Sequence, residues 1–197
     1  MNARDSILER LRKAPKETRH PEGLDELQTK APGKDELEER FLERLRQNSA
    51  MVLSEKQSAG ILETLLKTIQ NEGIEKLLLS REAVALLGPA FQESMQVSGM
   101  EAALAPEEKE SLQRASFQAD AGVSVAKWGV AELGAMAVVH GHDNPRLLSL
   151  APPFSVVLLK AGSILEDLRA LAIALGQTFP MPSQVTLVSG PSQSADI

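Results

Sequence analysis

Four groups of residues in this 197-residue chain have types and spacing that can do chemistry. The first is Glu132, in the stretch VAELGAMAVVHGHDNPRLLSLAPP over residues 130–153. Between Val130 and Leu165 the only Asp, Glu, Lys or Arg residues are Glu132, Asp143, Arg146 and Lys160. A carboxylate in such surroundings is expected to be desolvated, which raises its proton affinity and suits it to acid/base or nucleophilic work. The plainer alternative is a Glu132 that is exposed, or paired with Arg146 or Lys160.

The second group is His140-Gly141-His142-Asp143. Residues i and i+2 of a strand share a face, so the two imidazoles can converge as in a metal site. No second cluster completes a ligand set, and His20 stands far away in a polar linker, so no metal is expected; a loop lining is the better reading. The third group is Asn144-Pro145-Arg146, a turn in which Arg146 can clamp a carboxylate or phosphate with its planar fork. A structural salt bridge is the alternative there. The fourth is SGPSQSAD over residues 189–196, directly after an apolar run. Gly190 with Ser189, Ser192 and Ser194 can cradle an anion through hydroxyls and free N–H groups, although Gly-Pro-Ser is also ordinary turn chemistry. It is neither a Walker loop nor a dinucleotide fingerprint. No Gly-x-Ser-x-Gly elbow occurs, and no cofactor is called for.

Composition narrows the classes. There is no cysteine, which removes disulfides, thiolate zinc sites and iron–sulfur ligation by this sequence and fits a reducing cytoplasm. The net charge of −6 and the scarcity of aromatics, 3%, argue against nucleic acid as a partner. No apolar run approaches a membrane span, and the first twenty residues lack a signal-peptide core.

These residues must be positioned by a scaffold, and the charge distribution divides it. Residues 1–48 carry 11 basic and 11 acidic groups, whereas residues 49–197 carry 10 and 16. The reading is a charged helical appendage, 1–48, before an α/β domain, 49–197. Asn2–Lys13 reads as an amphipathic helix with Ser6 and Glu9 as capping box and Ile7, Leu8 and Leu11 on one face. Pro15, Pro21, Pro32 and Gly33 break the next stretch into a polar linker. Asp35–Gln47 reads as a second helix whose stripe of Leu37, Phe41, Leu42 and Leu45 packs on the body or meets a partner.

In the body, strands are expected at Ala50–Leu53, Lys76–Leu79, Met95–Val97, Gly122–Ala126, Met136–His140, Phe154–Leu159 and Val185–Val188. Helices are expected after Ser54 and Gln57, with stops at Asn71 and Gly73. Others start at Ser80, ending at Gly88-Pro89, and at Pro106-Glu107-Glu108. The last is capped by Ser163 and Glu166, with Leu168, Leu171, Ala172 and Leu175 inward and an end at Gly176. Short apolar strands alternating with helices imply an α/β fold, a largely parallel sheet covered on both faces. Ligands of such sheets bind outside the carboxyl ends of strands, so the loops after Ala126, His140 and Val188 are candidate walls.

Taken together, the segments AELGAMAVVHGHDNPRLLSLAPPFSVVLL and VTLVSGPSQSADI resemble the LUD-domain family, in particular its lactate utilization protein C type. The family pattern falls on Ala131, Glu132 and Gly134; on Asn144, Arg146, Leu147, Ser149, Leu150, Pro152 and Pro153; and on Ser189, Gly190, Pro191, Ser192, Ala195, Asp196 and Ile197. Two positions depart from it: Leu133 and Ser194 each stand where the family has Thr. The first loses a hydroxyl from its loop and the second keeps one.

The resemblance implies a three-layer α/β/α domain similar to the sugar-phosphate isomerase and CoA-transferase superfamily. It also implies a cytoplasmic role in oxidising L-lactate to pyruvate, with iron–sulfur proteins as separate partners. The ligand-binding candidates are then Gly134, Asn144, Arg146, Ser189, Gly190, Ser192, Ser194 and Asp196, around a small anion. Glu132 is the catalytic candidate if the protein is instead an enzyme of isomerase or CoA-transferase type, acting on an anionic acid, thioester or sugar phosphate.

Overall fold

The computed structural model describes Glu9 and residues 33–55, 60–178 and 182–191, with only the backbone at Gln92. Its fold is that of the compact unit Pro32–Ile197. The capping box at Ser6, the hydroxyls of Ser192 and Ser194, Asp196, and Gln57 of the expected Ser54 cap lie outside the described residues.

Two four-stranded sheets organise the unit. The first has the order β2 (Glu101–Leu104), β1 (Lys76–Leu79), β3 (Ala121–Ala126), β6 (Phe154–Leu159), and every pairing in it is parallel. Without the expected strands Met136–His140 and Val185–Val188, which pair antiparallel in the second sheet, this is the parallel sheet expected from the sequence. Its strands alternate side chains between two cores, as the period of two requires. Leu77, Leu79, Ala121 and Val123 face a cluster with Leu65, Ile69, Phe91 and Met95. These last four come from α2 (Ile61–Asn71) and α4 (Pro89–Val97). Between β1 and α4 lies the short helix α3 (Arg81–Leu87), whose buried Ala83 joins the same cluster. On the opposite face Leu78 meets Ala105, Ala119 and Leu148, with Leu112 and Ala115 of α5 (Lys109–Gln118). Leu148 belongs to a 3-10 turn, Arg146–Ser149, laid flat on the sheet. Gly122 makes that possible, because a Cβ there would lie 1.8 Å from the Leu148 carbonyl oxygen.

The second sheet is mixed, in the order β7 (Ile164–Leu165), β4 (Trp128–Val130), β5 (Ala135–Val139), β8 (Val185–Val188). β5 is antiparallel to both β4 and β8. Only residues 131–134 separate β4 from β5, too few for the crossover that a parallel pair needs. Helix α6 (Leu168–Gly176) covers one face through Leu171, against Val130 and Ala137. Helix α1 (Lys34–Gln47) forms a cluster with Ala131, Met136, Leu159 and Ile164 through Phe41 and Leu45, with Leu37 and Leu42 alongside. The stripe read from the sequence is thus a packing face.

Several expected elements differ. Ala50–Leu53 is no strand: Ala50 and Val52 instead join the α1 cluster, and Ser49 turns the chain with a positive φ of 62°. Met95–Val97 is the last turn of α4, because Phe91 and Met95, four residues apart, share the buried face. The edge strand is the alanine-rich Glu101–Leu104, which has little intrinsic strand signal. Pro106 does not start α5: Glu108 caps it, its carboxylate accepting from the Glu110 and Ser111 amides. Likewise Asp167, not Ser163, caps α6, because Ile164–Leu165 first pairs with β4. Leu168 and Ala172, expected inward, are exposed.

A candidate site at the carboxyl edge of the parallel sheet

β1 is followed by crossovers that lead to β2 on one side, and β3 lies on its other side, so the order reverses between β1 and β3. In open parallel sheets that reversal leaves a crevice at the carboxyl ends. Here the crevice is crossed by the loop 140–149, and Asn144 fastens it. Asn144 is 1% exposed. Its amide nitrogen donates to the carbonyls of Val125 (2.7 Å) and Val139 (3.2 Å), and its carbonyl oxygen accepts from the Val125 amide at 3.3 Å. Val125 belongs to the parallel sheet and Val139 to the mixed one. One side chain therefore ties the two sheets together, and its polar atoms are engaged by backbone rather than presented to a ligand.

Around this clamp lie two polar groups. On the crevice side, Arg81 pairs with Glu107 at 2.6 Å, and His142 lies 3.6 Å from Glu107 and 3.2 Å from Asp143. The Asp143 carbonyl accepts from the Glu82 amide at 3.3 Å. Burial and the negative charge of Asp143 push the Glu82 carboxyl above its ordinary range, and Lys127 opposes them. These residues come from four separate segments, so no local spacing in the sequence marked Arg81, Glu82, Glu107 or Lys127. The rule that ligands bind at strand ends could have pointed to Ser80–Glu82 after β1, had it been applied to every strand.

On the other side, His140 Nε2 lies 2.8 Å from Thr186 Oγ1, and Arg146 donates to the Gln184 side-chain oxygen at 3.1 Å. The pairing of Val139 with Val185 places all four here, because Gln184 and Thr186 share a face two residues apart. Burial holds His140 below the usual imidazole value; a contact with the Asn144 backbone works against this, and the Arg146 charge reinforces it. Arg146 is exposed and its hydrogen-bond partner is a neutral amide, so its charge is available to an anion. The two imidazoles diverge, one toward Thr186 and one toward Asp143, and among the described residues no three His, Cys, Asp or Glu side chains form a metal set.

The remaining sequence candidates gather elsewhere. Glu132 and Gly134 lie in the β4–β5 turn, and Ser189 and Gly190 follow β8, whose Val188 pairs with Met136. Both segments are held by the end of α1. Asn48 donates to the carbonyls of Leu133 (2.9 Å) and Gly134 (3.3 Å). A Cβ on Gly134 would lie 2.5 Å from Arg44 Cβ, and one on Gly190 would lie 2.1 Å from the Asn48 carbonyl oxygen. Both glycines also have positive φ, 57° and 117°. Glycine at these positions has a packing reason. Glu132 is exposed rather than desolvated; the low charge of its sequence neighbourhood did not predict burial, because only Ala131 and Gly134 of the turn are buried and Glu132 and Leu133 between them face solvent. β5 spans about 14 Å, at roughly 3.4 Å per residue, between these residues and the Asn144 clamp. The expected single enclosure of one small ligand by Glu132, Arg146 and Ser189 is therefore not formed among the described residues.

With this geometry in hand, comparison with known proteins gives a consistent result. A family model described as the LUD domain matches residues 33–197. The uncharacterized protein YkgG of Escherichia coli K12 is 37% identical over 84 residues, 41% of this chain and 36% of that protein. Lactate utilization protein C of Halalkalibacterium halodurans is 30% identical over 94 residues, 46% of this chain and 41% of that protein. The matches thus span about two fifths of these relatives' lengths. A crystal structure of a DUF162 family protein from Deinococcus radiodurans has the same fold, with a TM-score of 0.58 and 20% identity over 81% of this chain and 90% of that one. Among the described residues no helix is long and apolar enough to cross a membrane.

Proposed function

The chain belongs to the LUD-domain family, and from that premise we propose that it is an accessory, ligand-binding component of a cytoplasmic system that oxidises L-lactate to pyruvate. The observation that carries the reading is the family match together with the similarity to a lactate utilization protein C. Electron transfer falls to separate iron–sulfur proteins in this proposal, since the sequence has no thiolate to offer a cluster. Its own contribution is to hold a small carboxylate at the loop 140–149. Arg146 supplies the charge, Gln184 aligns the guanidinium, and Asn144 fixes the loop from which Arg146 projects. Ser189 and Gly190 lie at the α1 end, where Gly190 packs on Asn48; Ser192, Ser194 and Asp196, which follow them in the sequence, are weaker candidates for anion binding.

Deletion of the gene and affinity purification from the native cell test the role. The expected result is loss of growth on L-lactate as sole carbon source and recovery of iron–sulfur proteins with the tagged chain. Normal growth together with recovery of no such partner contradicts it.

A second reading, a small-molecule enzyme of isomerase or CoA-transferase type, draws support from the raised proton affinity of Glu82 beside Arg81 and Lys127. In that reading Glu82 competes with Glu132 for the role of base. Turnover of a candidate substrate that survives Glu132→Gln but not Glu82→Gln would place the chemistry in the crevice.

A further inference from the structure

Among the described residues the parallel sheet ends at β2, and no strand pairs with the outer side of that strand. The amides of Glu101 and Ala105 donate inward, to the carbonyls of Glu75 and Leu79. Backbone direction alternates along a strand, so the N–H and C=O groups of Ala102 and Leu104 point outward, away from β1. Natural edges are blunted by lysine, proline, bulges or a covering element. This one is short and carries one charge, Glu101, but it holds no lysine or proline, and among the described residues no strand covers it: its sequence is Glu-Ala-Ala-Leu, and Glu101, Ala103 and Leu104 are exposed. Leu104 is 44% exposed, and Val97, just before the strand, is 89% exposed. A groove of about 520 Å³ lies at the start of the strand, lined by Gln96, Gly99, Met100, Glu101 and Ala102.

The geometry points to β2 as a self-association edge, on which the occupant is a second copy of this chain, paired antiparallel about a twofold axis at Ala103. Three features select this occupant and this register. An antiparallel pair centred on Ala103 sets Ala102 of each copy opposite Leu104 of the other, and those are the residues with outward backbone groups, so both are satisfied in reciprocal hydrogen-bonded pairs. Opposed residues point to the same face, so each exposed Leu104 is delivered over the other copy's Ala102, where the groove receives it and the small alanine leaves room. The only charge in the strand, Glu101, faces Ala105 of the second copy. A register shifted by two residues would set Ala102 opposite itself and leave the outward groups of Leu104 facing Met100, whose amide already donates to Met95. The two parallel sheets would then be continuous across the axis, as an isologous interface requires.

Sedimentation equilibrium of the full chain tests this, with two variants. The wild type is expected to dimerise in the micromolar range. Leu104→Lys, at an exposed position, is expected to weaken association by at least about tenfold while melting as the wild type does. Ala103→Cys in this cysteine-free chain is expected to form a disulfide-linked dimer under mild oxidation, because the two Cα atoms of a non-hydrogen-bonded pair approach to about 4.5 Å. Thr186→Cys, on the edge strand of the other sheet, is expected not to. A wild type that stays monomeric throughout overturns the proposal and leaves the edge to a strand of some other protein. So does a dimer that Leu104→Lys leaves intact, or one that cross-links through Thr186→Cys and not Ala103→Cys.

Discussion

The two ends of strand β5 carry the residues that drew attention in the sequence, and they use them differently. At the Ala135 end, Gly134 and Gly190 are pressed against Arg44 and Asn48, and the turn is held by the Asn48 side chain. At the Val139 end, Asn144 is buried and joins the two sheets, while Arg146 projects from the same loop with a neutral partner. Residues of one family pattern thus serve packing at one end and combine packing with an available charge at the other. A recurring glycine or asparagine in such a pattern need not touch a ligand; its neighbours in space decide what it does.

That contrast can be broken by substitution, most severely at the crowded end. Gly190→Ala combines a disfavoured φ with a Cβ placed on the Asn48 carbonyl. A loss of roughly 3 kcal/mol or more is expected in urea unfolding, at the upper end for single substitutions. Asn144→Ala removes the inter-sheet clamp and leaves the half-buried backbone groups of Val125 and Val139 without that partner. About 2–3 kcal/mol is expected from lost hydrogen bonds and unsatisfied partners. Arg146→Gln and Glu132→Gln, both at exposed positions, are expected to stay within about 0.5 kcal/mol of the wild type. A large destabilisation by Arg146→Gln would show that its role is structural, and the contrast between the two ends would fail.

The pH dependence sharpens the same comparison, with smaller effects. His140 has a folded-state value below its ordinary 6.5. Its contribution to stability is therefore complete above 6.5 and is lost as pH falls through the folded value, because the unfolded chain takes up the proton first. His140→Gln is expected to flatten the pH dependence of the melting temperature below 6.5. Glu82 has the opposite sign: its carboxyl is raised above 4.5, so stability falls as pH rises through the folded value. Glu82→Gln is expected to raise stability at neutral pH by a small margin.

The strands with strong apolar runs, Lys76–Leu79 and Phe154–Leu159, are legible in the sequence to the residue, as is the stripe on α1. Met95–Val97 misleads because two apolar residues, one on either side of Gln96, carry too little pattern to separate a strand from the end of a helix. The edge strand Glu101–Leu104 escapes notice because alanine favours no strand. The division into two sheets is available in principle from the short β4–β5 connection. The charged crevice is not, since Arg81, Glu107, Lys127 and His142 meet only through the order of the strands. Asn144 and Arg146 stand out from the loop pattern, but that Asn144 is engaged by Val125 and Val139 follows only once β3 and β5 are known to lie side by side.

The central claim is that an anion is held at the Arg146 loop and not at the turn that carries Glu132. A thermal-shift titration with L-lactate and other small carboxylates, run on the wild type, Arg146→Gln and Glu132→Gln, tests it most directly. The expected result is a concentration-dependent rise in melting temperature for the wild type and Glu132→Gln that is lost in Arg146→Gln. A response kept by Arg146→Gln and lost by Glu132→Gln, or no response from the wild type to any carboxylate, would contradict it.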